Sequence, residues 1–215
     1  MTAALAGMMV GGLTTGRMLI ASAAIDSLKI GCAIAIRYAL LRPQFGGKAI
    51  MQYVTHQLRL LPALADAYAL HHGLCSLKAI AFDASGAEKD SAERGKQIHV
   101  QSAGIKAAAT WMKVDGLQKC RECCGGQGFL AINKIGPMAV DTNVDATFEG
   151  DNTVMMQQVA KALVDTALKS AQRGGSASTP KLPEVPAAEQ LGEASEGTAK
   201  AIMALLQFRC SCLDV

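Results

Sequence analysis

Aromatic side chains are scarce in this 215-residue chain, at 4% of the total. β-branched residues are thin as well. Strands draw on both classes, so their scarcity argues against a β-rich domain. Charge is also sparse, with 18% of residues charged and a net charge of +3. No run of five like charges occurs, and no basic stripe carries aromatics between its charges. The usual footprint of a nucleic-acid binder is therefore missing. The chain does not open on a basic segment followed by an apolar core and a cleavage site. Residues 1–16 are uncharged but rich in Gly and Thr, and Arg17, Asp26 and Lys29 then interrupt the apolar pattern. No stretch of about 18–20 apolar residues is expected to span a membrane, and the N-terminus reads as a buried helix. The last residues are not a Ser-Lys-Leu type address.

Half the residues are hydrophobic, dominated by Ala, Leu and Met with many Gly. Ala, Leu and Met favour helices, so an all-α domain is expected. A chain of this length can bury roughly 70% of the surface its unfolded form exposes. The periodicity predicts a helix over 3–41, bent near Gly11-Gly12, with Leu19, Ala23, Leu28, Cys32, Ile36 and Leu40 on its inner face. Pro43 and Gly46-Gly47 end it. A second helix is expected over about 49–81, with Pro62 as a site of kinking. Residues 83–95 read as a polar loop. A third helix runs from Ser91 or Gln97 to Cys124, where Gly125, Gly126 and Gly128 stop it. Gly136-Pro137 marks a turn. A fourth helix spans 152–172, with Val154, Met155, Val159, Leu163 and Ala167 inward. Together these give an antiparallel helical bundle over 1–172. Residues 173–198 collect Gly, Ser, Pro, Glu and Ala and read as a disordered linker. Residues 199–215 read as a short helix and an irregular tail.

The cysteines number seven. An odd count without a framework spacing suits a reducing compartment. Cys120, Cys123 and Cys124 share one helix face, where Cys acts as a small hydrophobe. Cys210 and Cys212 lack the spacing of a matching ligand pair, so no metal site is expected.

Four segments carry chemistry. In Ala146-Thr-Phe-Glu-Gly-Asp-Asn152, Glu149 sits on a tight turn before a helix whose start is marked by Asp151, Asn152 and Thr153. A carboxylate fixed there suits proton abstraction, or simply an acid favouring a helix N-terminus. In Arg42-Pro-Gln-Phe-Gly46, Arg42 could pair with a pyrophosphate, Gln44 could hydrogen-bond and Phe45 could pack on an aromatic ring. The plainer reading is a capped helix end. In Tyr53-Val-Thr-His-Gln-Leu-Arg59, His56 and Gln57 lie on a polar helix face. In Cys120-Arg-Glu-Cys-Cys-Gly-Gly-Gln-Gly-Phe129, Gly125 and Gly126 could let backbone approach a ligand closely, or simply cap the helix.

Taken in order, these four segments resemble the C-terminal catalytic region of the acyl-CoA oxidases, in the acyl-CoA dehydrogenase and oxidase superfamily. Gln127 and Phe129 depart from that pattern, where His and Tyr are usual. The resemblance implies FAD as cofactor, held by Arg42, Gln44, Phe45, His56, Gln57, Gly125, Gly126 and Asp151, with Glu149 as catalytic base. It implies a fatty acyl-CoA substrate, O2 as electron acceptor, H2O2 as product and a trans-2-enoyl-CoA. It also implies a peroxisomal homodimer whose FAD site is shared across subunits. The family carries further domains before and after this region, so the chain is expected to be a fragment or a truncated gene product. Two other readings stay open: an acyl-CoA dehydrogenase passing electrons to a carrier protein, and a non-catalytic helical interaction module.

Overall fold

The computed structural model describes residues 3–82 and 91–172. The expected linker and tail, 173–215, lie outside them. Four long helices are present as read from the sequence: α1 (Ala3–Leu41), α2 (Val54–Phe82), α3 (Ser91–Cys123) and α5 (Asn152–Gln172), with a short α4 (Ile135–Asp141) before the last. The only strands among the described residues are β1 (Pro43–Gln44) and β2 (Lys48–Ala49), a two-stranded antiparallel hairpin pairing Pro43 with Ala49. Its turn, Phe45-Gly46-Gly47, lies wholly at positive φ, at 46°, 93° and 86°. Two consecutive glycines make that turn accessible.

The side-chain contacts fix the directions. Arg17 meets His99 and Cys32 meets Cys120, so α1 and α3 run parallel. Arg59 meets Glu122 while Arg94 meets Ile80, so α2 runs antiparallel to α3. Asn152 bonds Thr110 and Met155 packs on Ala103, so α5 is antiparallel to α3 as well. The successive long helices α1, α2, α3 and α5 thus alternate in direction.

The core of α1 follows the stripe read from the sequence only at Leu28 and Cys32, which are buried. Leu19, Ala23 and Leu40 are exposed, and Ile36 is only half-buried. The buried row is Thr14, Met18, Ala21, Ile25, Leu28, Cys32, Ala35 and Ala39. Its alternating steps of four and three are those of a coiled-coil seam. Small residues let α1 and α3 approach closely. A Cβ on Gly31 would lie 2.5 Å from Leu117 Cδ2, and one on Gly116 would lie 2.4 Å from Leu28 Cδ1. Each helix therefore sets a leucine into a glycine notch of the other. Burying those two leucines contributes about 1.5–3 kcal/mol each.

Other expectations are corrected in detail. Residues 91–95 are helical rather than loop, and 83–90 lie outside the described residues. Gly136-Pro137 falls inside the first turn of α4, where proline lacks no hydrogen bond that the helix needs. α2 continues through Pro62, which faces solvent. On α5, Met155 is buried and Val159 and Leu163 are half-buried, but Val154 and Ala167 face solvent. Finally, Leu13–Leu41 does reach the hydropathy of a membrane span, with a mean hydropathy of 1.8. That helix instead provides one side of the bundle core, seamed to α2 and α3, with Arg17, Asp26, Lys29 and Arg37 along its length.

Candidate active site

The turn before α5 is built around Glu149. A turn of 3-10 helix, Asn143–Ala146, follows α4, and the chain reverses at Glu149 (φ 56°) and Gly150 (φ 113°). Glycine suits the second of these positions. The first is unusual for a side-chain-bearing residue and costs on the order of 1–3 kcal/mol. The surroundings hold it there. Arg17 Nε donates to the Glu149 carbonyl at 3.3 Å. Arg17 is buried, which pushes its guanidinium below the usual arginine range, and the charge of Glu149 partly offsets that. Asp151 Oδ1 accepts from the backbone N–H of Thr153 at 2.9 Å and of Val154 at 3.3 Å, capping α5.

The Glu149 side chain lies on α1 where that helix has no side chain of its own. A Cβ on Gly16 would stand 2.5 Å from Glu149 Oε1. The carboxylate therefore rests against bare helix backbone.

Two residues that the sequence reading passed over support this turn from below. Lys106 and Lys113, a heptad apart on α3, are both fully buried. Lys113 pairs with Asp145 Oδ2 at 3.1 Å and also donates to the Thr142 carbonyl. Lys106 donates to the carbonyls of Ala146 (3.2 Å) and Gly150 (2.7 Å) and to Asn152 Oδ1 (2.8 Å). Asn152 in turn donates to Thr110 Oγ1 at 2.8 Å. The sequence signal for them is a polar row, Lys106, Thr110 and Lys113, on the helix face that also carries Ala103 and Ala107.

The other predicted residues gather at the far end of the bundle. Parallel α1 and α3 both end there, and antiparallel α2 begins there. On the hairpin, Phe45 is 85% exposed and meets Tyr53 edge-on, with ring centroids 6.1 Å apart. The Tyr53 hydroxyl donates to the carbonyls of Gln44 (3.2 Å) and Phe45 (3.1 Å), steadying the turn. With its amide oxygen turned toward Arg42, Gln44 accepts from Arg42 Nε and Nη2 at 3.0 Å each. Gln57 Nε2 donates to the Met51 carbonyl at 2.9 Å. Gly125 (φ 59°) ends α3, and the space around both Gly125 and Gly126 is open. Arg59 and Glu122, 2.9 Å apart, tie α2 to α3 beside this turn.

His56 is the polar group here with an unmet need: its Nε2 is buried without a hydrogen-bond partner. An exposed phenyl face, an exposed guanidinium, open glycine backbone and an unpaired imidazole nitrogen fit an aromatic, phosphate-bearing group such as FAD. Burial first, then the charge of Arg59, push the His56 imidazole below its ordinary value of 6.5. The unfolded chain therefore binds the extra proton more readily below pH 6.5, and stability falls as pH drops. His56→Gln is expected to flatten this acid-side loss, read as the melting temperature between about pH 7.5 and 5.

The two groups of residues do not meet within one chain. At about 1.5 Å per residue, the path along α1 from Gly16 to Leu41 is about 40 Å, and that along α3 from Lys106 to Cys123 about 25 Å. One flavin ring cannot touch both Glu149 and the Phe45 turn of the same chain. Cys120, Cys123 and Cys124 are buried in the core, with Cys120 Sγ 3.9 Å from Cys32 Sγ; Cys75 is exposed, and Cys210 and Cys212 lie outside the described residues. Burial pushes the Cys123 and Cys124 thiols up.

Comparison with known proteins gives the family. The family model for the acyl-CoA oxidase C-alpha1 domain matches residues 10–164. "Acyl-coenzyme A oxidase 3, peroxisomal" of Arabidopsis thaliana is 46% identical over 157 residues, covering 70% of this chain and 22% of that protein. The structure of Arabidopsis thaliana acyl-CoA oxidase 1 superposes with a TM-score of 0.68 at 30% identity, covering 82% of this chain and 27% of that one. The structure of acyl-CoA oxidase-2 of Caenorhabditis elegans, bound with FAD, ascaroside-CoA and ATP, gives 0.61 at 25% identity, covering 76% and 26%. The chain spans about a quarter of the length of the curated relatives it matches. Coverage of most of this chain by the family model, beside relatives that are named peroxisomal, shows that the chain belongs to the acyl-CoA oxidase family, as its C-alpha1 helical domain.

Proposed function

We propose that this chain supplies the catalytic base and part of the flavin site of an FAD-dependent acyl-CoA oxidase, converting a fatty acyl-CoA to its trans-2-enoyl-CoA. The observation that carries the reading is the Glu149 carboxylate, presented from a left-handed turn onto a side-chain-free patch of α1. Bound FAD would supply the acceptor for the β hydrogen as hydride and the route by which its electrons reach O2, which with protons gives H2O2. Glu149 removes the α proton, and the turn keeps its carboxylate in one place so that little reorganisation precedes transfer. Nearby carboxylates do not compete for this role. Asp145 is committed to Lys113, and Asp151 to the α5 cap.

Arg42, Gln44, Phe45, His56, Gln57 and the Gly125-Gly126 turn would hold the cofactor through a guanidinium, amides, an aromatic face and bare backbone. Their distance from Glu149 supports a homodimer in which the far end of one protomer contacts the flavin that serves its partner's Glu149. A full-length acyl-CoA oxidase carrying residues 10–164 in place of its own C-alpha1 segment tests the reading. It is expected to release peroxide in equal amount to enoyl-CoA. Enoyl product that forms only with an artificial electron acceptor, and no peroxide, would reassign the chain to dehydrogenase chemistry.

A further inference from the structure

Lysine is almost never fully buried unless its charge is paired. Lys113 follows that rule through Asp145, but Lys106 does not. Its three hydrogen-bond partners are all neutral: the Ala146 and Gly150 carbonyls and the Asn152 side-chain oxygen. An ammonium has three donors, so this group is saturated. Burial pushes it below the usual lysine range, and Asp151, Asp145 and Glu149 only partly restore it against Arg17. A charge kept in so costly a place must be holding something.

The three acceptors show what it holds. Ala146 lies three residues before Glu149, Gly150 one after and Asn152 three after. Through the Ala146 and Gly150 carbonyls a single ammonium therefore clamps the backbone on both sides of Glu149, the side-chain-bearing residue of this turn held at a left-handed φ. We propose that Lys106 is a positioning residue for Glu149: it fixes the 146–152 turn so that the carboxylate is delivered onto the Gly16 patch of α1 in one orientation. Charge-assisted hydrogen bonds are stronger than neutral ones, so three together can hold a backbone that would otherwise relax. Arg17 adds one bond to the Glu149 carbonyl from the α1 side. Lys113 anchors the earlier part of the loop, at Thr142 and Asp145, and does not reach the turn itself.

This proposal rests on Glu149 being the base, but one arm of its test does not. In the 215-residue chain, Lys106→Met is expected to speed amide hydrogen exchange at Thr147, Phe148 and the first turn of α5 by about tenfold or more, while amides around Leu28, Leu60 and Leu117 keep their protection. In the full-length oxidase carrying this segment, the same substitution is expected to lower kcat about 100-fold with KM for acyl-CoA unchanged. The isotope effect for an α-deuterated substrate should rise, because proton abstraction becomes slower. A lysine that served only stability would reduce the amount of active enzyme and leave that isotope effect where it was. Unchanged exchange in the turn, or an unchanged kcat and isotope effect, would overturn the proposal. If Lys106→Met does not fold, Asn152→Ser removes one acceptor and is read in the same way, with an unchanged kcat counting against the clamp. Should Glu149→Gln leave turnover intact, the base assignment fails, and the exchange result still decides whether Lys106 holds the turn.

Discussion

Glu149→Gln, placed in a full-length oxidase that carries this segment, is expected to lower the rate of enoyl-CoA formation by about 1,000-fold or more. General-base catalysis by one positioned group contributes about 10²–10⁴-fold, and a thousandfold loss is about 4 kcal/mol of barrier. The substitution is close to isosteric and cannot accept the proton at neutral pH. It leaves the turn's hydrogen bonds in place, because Arg17 bonds the Glu149 main-chain carbonyl and Lys106 bonds neighbours of Glu149. It removes a charge that partly offsets the burial of Arg17 and Lys106, so stability should fall by about 1 kcal/mol. Flavin absorbance and melting temperature near wild type, with turnover lost, is the expected combination. Preserved turnover would remove Glu149 from the reaction, and with it the catalytic reading of the turn.

How much of this was legible depends on the side chains involved. Helix boundaries were clear because Pro43, Gly46-Gly47 and Gly125 interrupt long Ala- and Leu-rich runs. Which face of α1 is buried was not clear, because Leu13, Leu19, Ile30 and Leu40 crowd the solvent side with apolar groups while alanines fill much of the seam. A reading that weights large hydrophobes follows the wrong face. Glu149 and Asp151 stood out because a carboxylate, a glycine and capping residues are adjacent in sequence. Lys106 and Lys113 act through residues 29 to 46 positions away, and nothing near a lysine in the chain says that it points inward. The hairpin glycines were read as helix stops. Their added role, turning Phe45 outward at positive φ, emerges only when β1 pairs with β2.

Gly128→Ala should have the second largest effect, and on folding rather than chemistry. The sequence places three glycines after α3, and they are not equivalent. Gly125 needs its positive φ but has open space, and Gly126 has open space as well, so an alanine at 126 should be tolerated. At Gly128 a Cβ would stand 1.9 Å from the Arg121 carbonyl oxygen and 2.9 Å from its carbon. That obstacle is backbone, so no rotamer change can relieve it. The same oxygen accepts from the Cys124 N–H at 3.2 Å, so displacing it also loosens the last turn of α3. Overpacking of this kind costs about 3 kcal/mol, the upper part of the usual range. For a domain of this size the melting temperature should fall by roughly 6–12 °C. Gly126→Ala, two positions away, serves as the matched control: a comparable loss there would mean that the turn resists any side chain, and that the close approach to Arg121 is not the cause.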